Sequence, residues 1–151
     1  MAAAKVLRGV KMGIKVSDEA GTPTFAHPCL INAARAFEIA AETNSVRIPD
    51  CTSPELIAWV KREKISLSAN ISGAGKLHTT DTELYYNLVV RDTPIAVRVE
   101  LIDVTAANGG GYFAGTFFVT RFALDGDVGD FVGCDLALES DGVITWVDAA
   151  A

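Results

Sequence analysis

The stretch that decides the fold is residues 110–146, GGYFAGTFFVTRFALDGDVGDFVGCDLALESDGVITW. From Tyr112 to Leu124 residues alternate with the period of two that marks a strand, and both alternating sets are largely apolar. Phe113, Phe117 and Val119 fall on one side, and Tyr112, Phe118, Phe122 and Leu124 on the other. A strand of that kind needs cover on both faces. From Phe131 to Ser140 the set Val132, Cys134, Leu136 and Leu138 is apolar while Asp135 and Glu139 face the other way, so Cys134 is expected in a core. Asp141-Gly142 is expected to make a two-residue hairpin turn into Val143–Val147.

The same period runs through the rest of the chain. Val10, Met12, Ile14 and Val16 form one apolar set, Ile65, Leu67, Ala69 and Ile71 another, and Ile95, Val97, Val99 and Leu101 a third. Ala34–Glu42 reads as a weaker strand, with Arg35, Phe37 and Ile39 opposite Glu38; Val46 and Ile48 begin a short one that stops at Pro49. One helix is expected after a capping box of Thr80 and Glu83, with Leu84, Leu88, Tyr85 and Val89 inward, Glu83, Asn87 and Arg91 outward, and Pro94 ending it. A helical turn is expected after Ser53-Pro54, inside a connection that is long for a hairpin. The architecture predicted is mainly β: a sandwich or barrel of about eight strands with one flanking α-helix, in a single domain over residues 1–151.

Composition sets the limits of function. A chain of 151 residues, 50% hydrophobic and 21% charged, is the size of one domain and far from disordered. At this length folding buries roughly 70% of the unfolded surface, enough for a core without metal or disulfide staples. Thirteen Lys and Arg against 19 Asp and Glu give a formal charge of −6, which argues against gripping nucleic acid through its phosphates. No apolar run approaches a membrane span, and MAAAKVLRGVK has no secretory stretch, so the expectation is a soluble chain made in the cytoplasm. Cys29, Cys51 and Cys134 lack the spacing of a zinc or redox motif, and His27 and His78 do not complete one. Two readings of the thiols stay open: three reduced cysteines, at least one buried, or a bridge to a neighbouring subunit.

Motifs for chemistry fail on inspection. Gly73-Ala74-Gly75-Lys76 has Asn70 and Leu77 where a phosphate loop needs Gly and Ser or Thr, and reads as a Gly-rich turn leaving a strand. In His27-Pro28-Cys29 the proline holds the chain extended and the two side chains apart. Asp125, Asp127, Asp130 and Asp135 resemble a loose calcium loop, but Leu136 stands where the closing glutamate belongs, which leaves a solvated turn. No catalytic, cofactor-binding or metal-binding residue is assigned, and no enzyme is expected. What remains is apolar strand surface in excess of what a small chain can cover, most simply buried against copies of itself.

In combination, several stretches resemble the major tail tube proteins of tailed bacteriophages. These are the opening strand Val10–Val16, NSVRIPDCTSPELIAWVKREKISLSANISGAGKL at 44–77, the short helix, PIAVRVELID at 94–103, and the closing segment 110–146. The resemblance covers about 140 residues and rests on order and pattern: a Pro-Asp turn, a Trp-containing loop, a serine-alternating strand and two long closing strands. It implies hexameric rings stacked into a hollow tube, the conduit for DNA ejection, with the inner strands of six subunits forming one continuous barrel. By position, Ser45–Lys64 becomes a long inter-ring loop carrying Val46, Ile48, Cys51, Leu56 and Trp59, and Ala2–Val10 a second inter-ring element. Asp135 and Glu139 become candidates for lumen-facing carboxylates that let DNA glide, and Cys51 and Cys29 candidates for an inter-subunit disulfide. The implied partners are further copies of the chain, a tail terminator, baseplate and tape-measure proteins and, for a contractile tail, a sheath. The implied location is the virion tail, after assembly in the host cytoplasm. The rival readings are a carbohydrate- or receptor-binding β-sandwich module, for which Trp59 is the one exposed aromatic candidate, and a tail cap or baseplate hub of the same fold.

Overall fold

The computed structural model describes residues 6–17, 25–26, 34–77 and 79–149. Seven antiparallel strands form one sheet: β1 (Met12–Ser17), β2 (Phe25–Ala26), β3 (Ala34–Ile48), β4 (Trp59–Lys76), β5 (Ile95–Leu101), β6 (Gly111–Asp125) and β7 (Gly133–Asp148). The spatial order is β2-β1-β5-β6-β7-β4-β3, and one helix, α1 (Thr82–Val90), lies between β4 and β5 in the chain. The mainly-β fold with one flanking helix is as the sequence implies. The strand count is seven among the described residues because two of the expected short strands are the ends of longer ones.

The sheet rolls around one core. Ile14 and Val16 of β1 and Ile95, Val97 and Val99 of β5 share a cluster with Ala69 and Ile71 of β4 and Cys134, Leu136 and Leu138 of β7. These pairs of strands are separated in the order, so only curvature brings their inward faces together. Phe117 and Val119 of β6 fill the centre, and Tyr85 and Leu88 of α1 close the open side. The Tyr85 ring lies 6.2 Å from that of Phe122. Alternation read from sequence holds well in β5, where Ile95, Val97 and Val99 are buried and Ala96 and Arg98 between them are not.

Local features differ from the sequence reading in several places. Strand β1 begins at Met12, after a 3₁₀ turn at Gly9–Lys11. A second 3₁₀ turn, Thr79–Asp81, occupies the expected capping box, and α1 starts at Thr82. Its buried stripe is Tyr85 and Leu88 with Val89 beside them, whereas Leu84 is half in solvent. Arg91, expected merely to face water, closes the helix: its Nε donates to the Thr93 carbonyl at 2.9 Å and its Nη2 to that of Pro94 at 3.0 Å.

Asp141-Gly142 is no hairpin. The strand β7 passes through it, because β6 offers a partner on both sides: Thr116–Asp125 pair with Gly133–Asp141, and Gly111–Ala114 with Thr145–Asp148. Residues 142–144 bulge opposite Gly115, and the positive φ of Gly142 (88°) serves that bulge. Gly73-Ala74-Gly75-Lys76 is likewise no turn but the end of β4, paired with Gly133–Leu136 of β7. The segment Ser45–Lys64 is not a loop. β3 and β4 are one long hairpin, and only residues 49–58 are non-strand. The helical turn expected after Ser53 is a single reverse turn, Leu56 N–H to Ser53 O at 3.1 Å.

Candidate assembly surfaces

Two surfaces stand out, and both follow from the register of β3, β4, β7 and β6. Residues directly opposite across antiparallel strands share a face. Glu38, Asn70, Glu139 and Phe118 form one such row. Ala36, Ser72, Ala137 and Arg121 form the next, and Ala34, Ala74, Asp135 and Ala123 the third. The intervening rows hold Phe37, Ile71, Leu138 and Val119, whose side of the sheet is the core. The outward side is therefore mostly low and polar, built of Ala, Ser and Asn with three carboxylates, and carries Phe118 and Arg121 on its β6 edge. Arg121 Nη2 lies 3.9 Å from the Asp135 carboxylate, and the two flank a shallow depression with Ala34, Ala36 and Ser72.

The structure places Asp135 and Glu139 on this face, both exposed. They are not neighbours: Glu139 sits in the row of Glu38, Asp135 two rows away. Glu38 is the residue that sequence reasoning missed. Its polar side was legible, but its alignment with Glu139 depends on the pairing of β3 with β4 and β4 with β7.

This four-stranded layer has two open edges. β3 is the last strand in the order. At the other side, β5 pairs with β6 only as far as Phe117, so Phe118–Asp125 has no partner there among the described residues.

The second surface is the distal part of the β3–β4 hairpin. Beyond Ala40 on β3 and Ala69 on β4 every strand residue is exposed, so this arm stands clear of the core. A bulge between Glu42 and Thr43 leaves Ile65 without a partner and shifts the facing of everything beyond it. On one side of the arm lie Val46, Ile48, Trp59 and Lys61; on the other lie Arg47, Arg62 and Lys64 with Val60. Trp59 is 90% exposed and Ile57, in the turn, 98%. Leu56 is exposed as well. Asp50 shapes the turn by accepting from the Thr52 N–H at 2.9 Å and its hydroxyl at 2.8 Å, bonds that hold its carboxyl below the ordinary carboxylate range.

Of the thiols, Cys51 is exposed in the same turn and Cys134 is buried, as expected. Burial, and then the charge of Asp135, push the Cys134 thiol up. Cys29, with His27 and Pro28, lies outside the described residues, as do His78 and Ala2–Lys5 of the expected N-terminal element. Among the described residues no three His, Cys, Asp or Glu side chains are placed to hold a metal ion. Asp130 instead accepts from the Phe131 N–H at 2.7 Å and lies 3.5 Å from Lys76 Nζ. No described helix is long and apolar enough to cross a membrane.

Among curated proteins none matches the chain significantly. Solved structures do. One is the tail of an empty gene transfer agent (GTA) particle with C6 symmetry: 24% identity, TM-score 0.73, over 94% of this chain and 99% of that one. The SPP1 tail tube superimposes with a TM-score of 0.66 at 10% identity, over 97% of this chain and 81% of that one. The tube–sheath complex of an extracellular contractile injection system, PVC, in its extended state gives 0.60 at 13%, over 94% and 93%. At these identities the likeness establishes the fold. The family model described as phage tail tube protein matches residues 6–146, nearly the whole sequence, so the chain belongs to the phage tail tube protein family and is a structural protein of the tail.

Proposed function

We propose that six copies of this chain close into a ring through the two open edges of the β3-β4-β7-β6 layer, and that rings stack into a hollow tube for DNA. One observation carries the reading. In the order β6-β7-β4-β3 each strand is antiparallel to the next, so β3 runs opposite to β6. Rotation about a ring axis preserves strand direction. The β3 edge of one copy thus meets the free half of β6 on its neighbour antiparallel, and the alternation continues unbroken around the ring. Closure also removes both exposed edges.

With the apolar side of the layer turned to the core, the side lined by Glu38, Glu139, Asp135, Ser72 and Asn70 faces the channel. Small side chains leave most of the bore smooth, Arg121 stands beside Asp135, and the three carboxylates outnumber that one cation and repel phosphates. The formal charge of −6 on each copy is repeated six times per ring. The arm, with Val46, Ile48, Leu56 and Trp59, reaches the adjacent ring, and Cys51 and Cys29 are candidates to brace subunits by a disulfide. The ends of such a tube require a terminator and baseplate or tape-measure proteins, and its outer wall can take a sheath. Assembly takes place in the host cytoplasm.

Negative-stain electron microscopy of the purified chain over a concentration series tests this reading. Stacked rings or hollow tubes are expected. Monodisperse monomers throughout, even with tail-initiator proteins added, would overturn it in favour of a cap, hub or binding role. For the channel, a Cys29→Ser, Cys51→Ser chain carrying Glu139→Cys should react with a bulky maleimide polymer as a monomer and be protected in the tube.

A further inference from the structure

The stacked-ring reading leaves one end of the molecule unassigned. The connection between β6 and β7, residues 126–132, carries Val128 fully exposed and Phe131 at 80% exposure, flanked by Asp125 and Asp127. Its shape is fixed from within: the Asp130 N–H donates to the Asp127 carbonyl at 3.2 Å, and Asp130 Oδ1 takes the Phe131 N–H. This turn adjoins the C-terminal end of β4, where the Leu77 N–H donates to the Val132 carbonyl at 2.8 Å. The arm's tip lies at the other end of the same strand. From Trp59 to Lys76 the chain runs roughly 55 Å at about 3.3 Å per residue. The molecule thus has an apolar tip at each pole of its longest strand.

One face of the arm is cationic in a protein that is acidic overall. Arg47, Arg62 and Lys64 stand on it with Val60, while Lys61 and Glu63 lie on the other face, and Glu42, Asp50 and Glu55 bring the arm as a whole to no net charge. None of these four cations makes an ion pair among the described residues, and neither do Asp125 and Asp127. A stack of identical rings is a head-to-tail assembly, which needs two different patches, each complementary to the other. The β6–β7 turn and the Val60 side of the arm, with Arg47, Arg62 and Lys64, are complementary in both apolar character and charge.

We propose that the β6–β7 turn is the seat for the arm of a second copy of this chain in the next ring, resting on the stacked-ring reading. Val128 and Phe131 cover Leu56, Ile57 and Val60, while Asp125 and Asp127 face Arg62 and Lys64 on the same side of the arm as Val60. The acidic cluster that fails as a calcium loop becomes half of an inter-ring contact.

Disulfide trapping tests it with a thiol already at the tip. In a Cys29→Ser chain carrying Val128→Cys, oxidation of assembled tubes should give a Cys51-dependent ladder on a non-reducing gel that climbs beyond six subunits. A ladder that stops at six means a contact within one ring and overturns the proposal. Tubes with no ladder overturn it too, while leaving the stacked-ring reading intact. Absence of tubes from the unaltered chain counts against that reading itself. A charge exchange gives an independent check. Asp125→Lys with Asp127→Lys should cut the pelletable tube fraction roughly tenfold, and adding Arg62→Glu with Lys64→Glu should restore it. Undiminished tubes from the first pair, or no recovery with the second, would also overturn it.

Discussion

Arg35 on β3 donates from Nη1 to the carbonyl oxygen of Met12 on β1 at 2.7 Å, joining two strands that lie near opposite ends of the sheet order. The bond crosses the seam where the rolled sheet meets itself, beside the Phe37–Phe113 ring pair at 5.1 Å. Replacing Arg35 by Met keeps an apolar stem but leaves a half-buried carbonyl without that donor. The expected loss is about 1–3 kcal/mol in urea unfolding, the worth of a hydrogen bond from a charged group. An unchanged midpoint would show that the seam is held by the aromatic pair alone.

Gly110 and Gly115 should respond differently to alanine. A Cβ at Gly115 would lie 2.4 Å from Ile144 Cδ1, the far end of a flexible side chain within the bulge. At Gly110 it would lie 2.0 Å from the Val104 carbonyl oxygen and 2.8 Å from that of Thr105, which are backbone atoms. Gly115→Ala should cost about 1–3 kcal/mol, the range of ordinary overpacking. Gly110→Ala should cost more, because the β5–β6 connection itself must move; equal costs would contradict this.

The two described thiols should differ in accessibility. In a Cys29→Ser chain at pH 8, a thiol reagent should label Cys51 at once and Cys134 only after denaturant is added. The raised folded value of Cys134 also sets a sign. Its contribution to stability is fully present below the unfolded value of 9.0 and is lost as pH rises through the folded one. Cys134→Ala should therefore flatten the alkaline fall in stability.

At the acid end the signs reverse. Asp103 is held low by its hydrogen bond and charge contact with Lys11, and Asp130 by the Phe131 N–H and then Lys76. Stability from such groups is present above the unfolded value of 3.8 and lost as pH falls through the lower folded values. Thermal midpoints of the Asp103→Asn, Asp130→Asn chain should fall less between pH 4 and pH 2 than those of the parent.

Much of the fold is legible in sequence wherever one face of a strand is core, because burial then enforces strict alternation. Val97, Val99, Leu136 and Leu138 announce themselves, and Cys134 follows from their period. The arm is illegible for a physical reason: the unpaired Ile65 inverts the facing of residues 59–64 relative to 66–76, so no single period fits β4. Neither side of the arm is buried within the chain, so no burial pattern marks it as a strand. Asp141-Gly142 misleads because a positive φ suits a bulge as well as a turn, and only the length of β6 decides between them. Period shows that Asp135 and Glu139 face away from the core; the alignment of Glu139 with Glu38 and Asn70 is set by register, which one strand's sequence does not contain.

Trp59 separates folding from assembly most sharply. Its side chain is 90% exposed, and it sits in the arm beyond every buried residue of β4. Truncation to alanine removes almost no contact within the chain, so the unfolding midpoint should stay within about 0.5 kcal/mol of the parent. A buried aromatic anchor at an interface is worth about 2 kcal/mol or more, which is roughly thirtyfold in each contact. Because a tube repeats that contact at every subunit, Trp59→Ala should abolish tubes at concentrations where the parent polymerises, while circular dichroism and melting stay unaltered. Sedimentation of both chains measures the effect, and parent-like polymer from Trp59→Ala would remove the arm from the stacking contact. Loss of tubes together with a lowered melting point would instead assign Trp59 to the stability of the single chain, against its exposure.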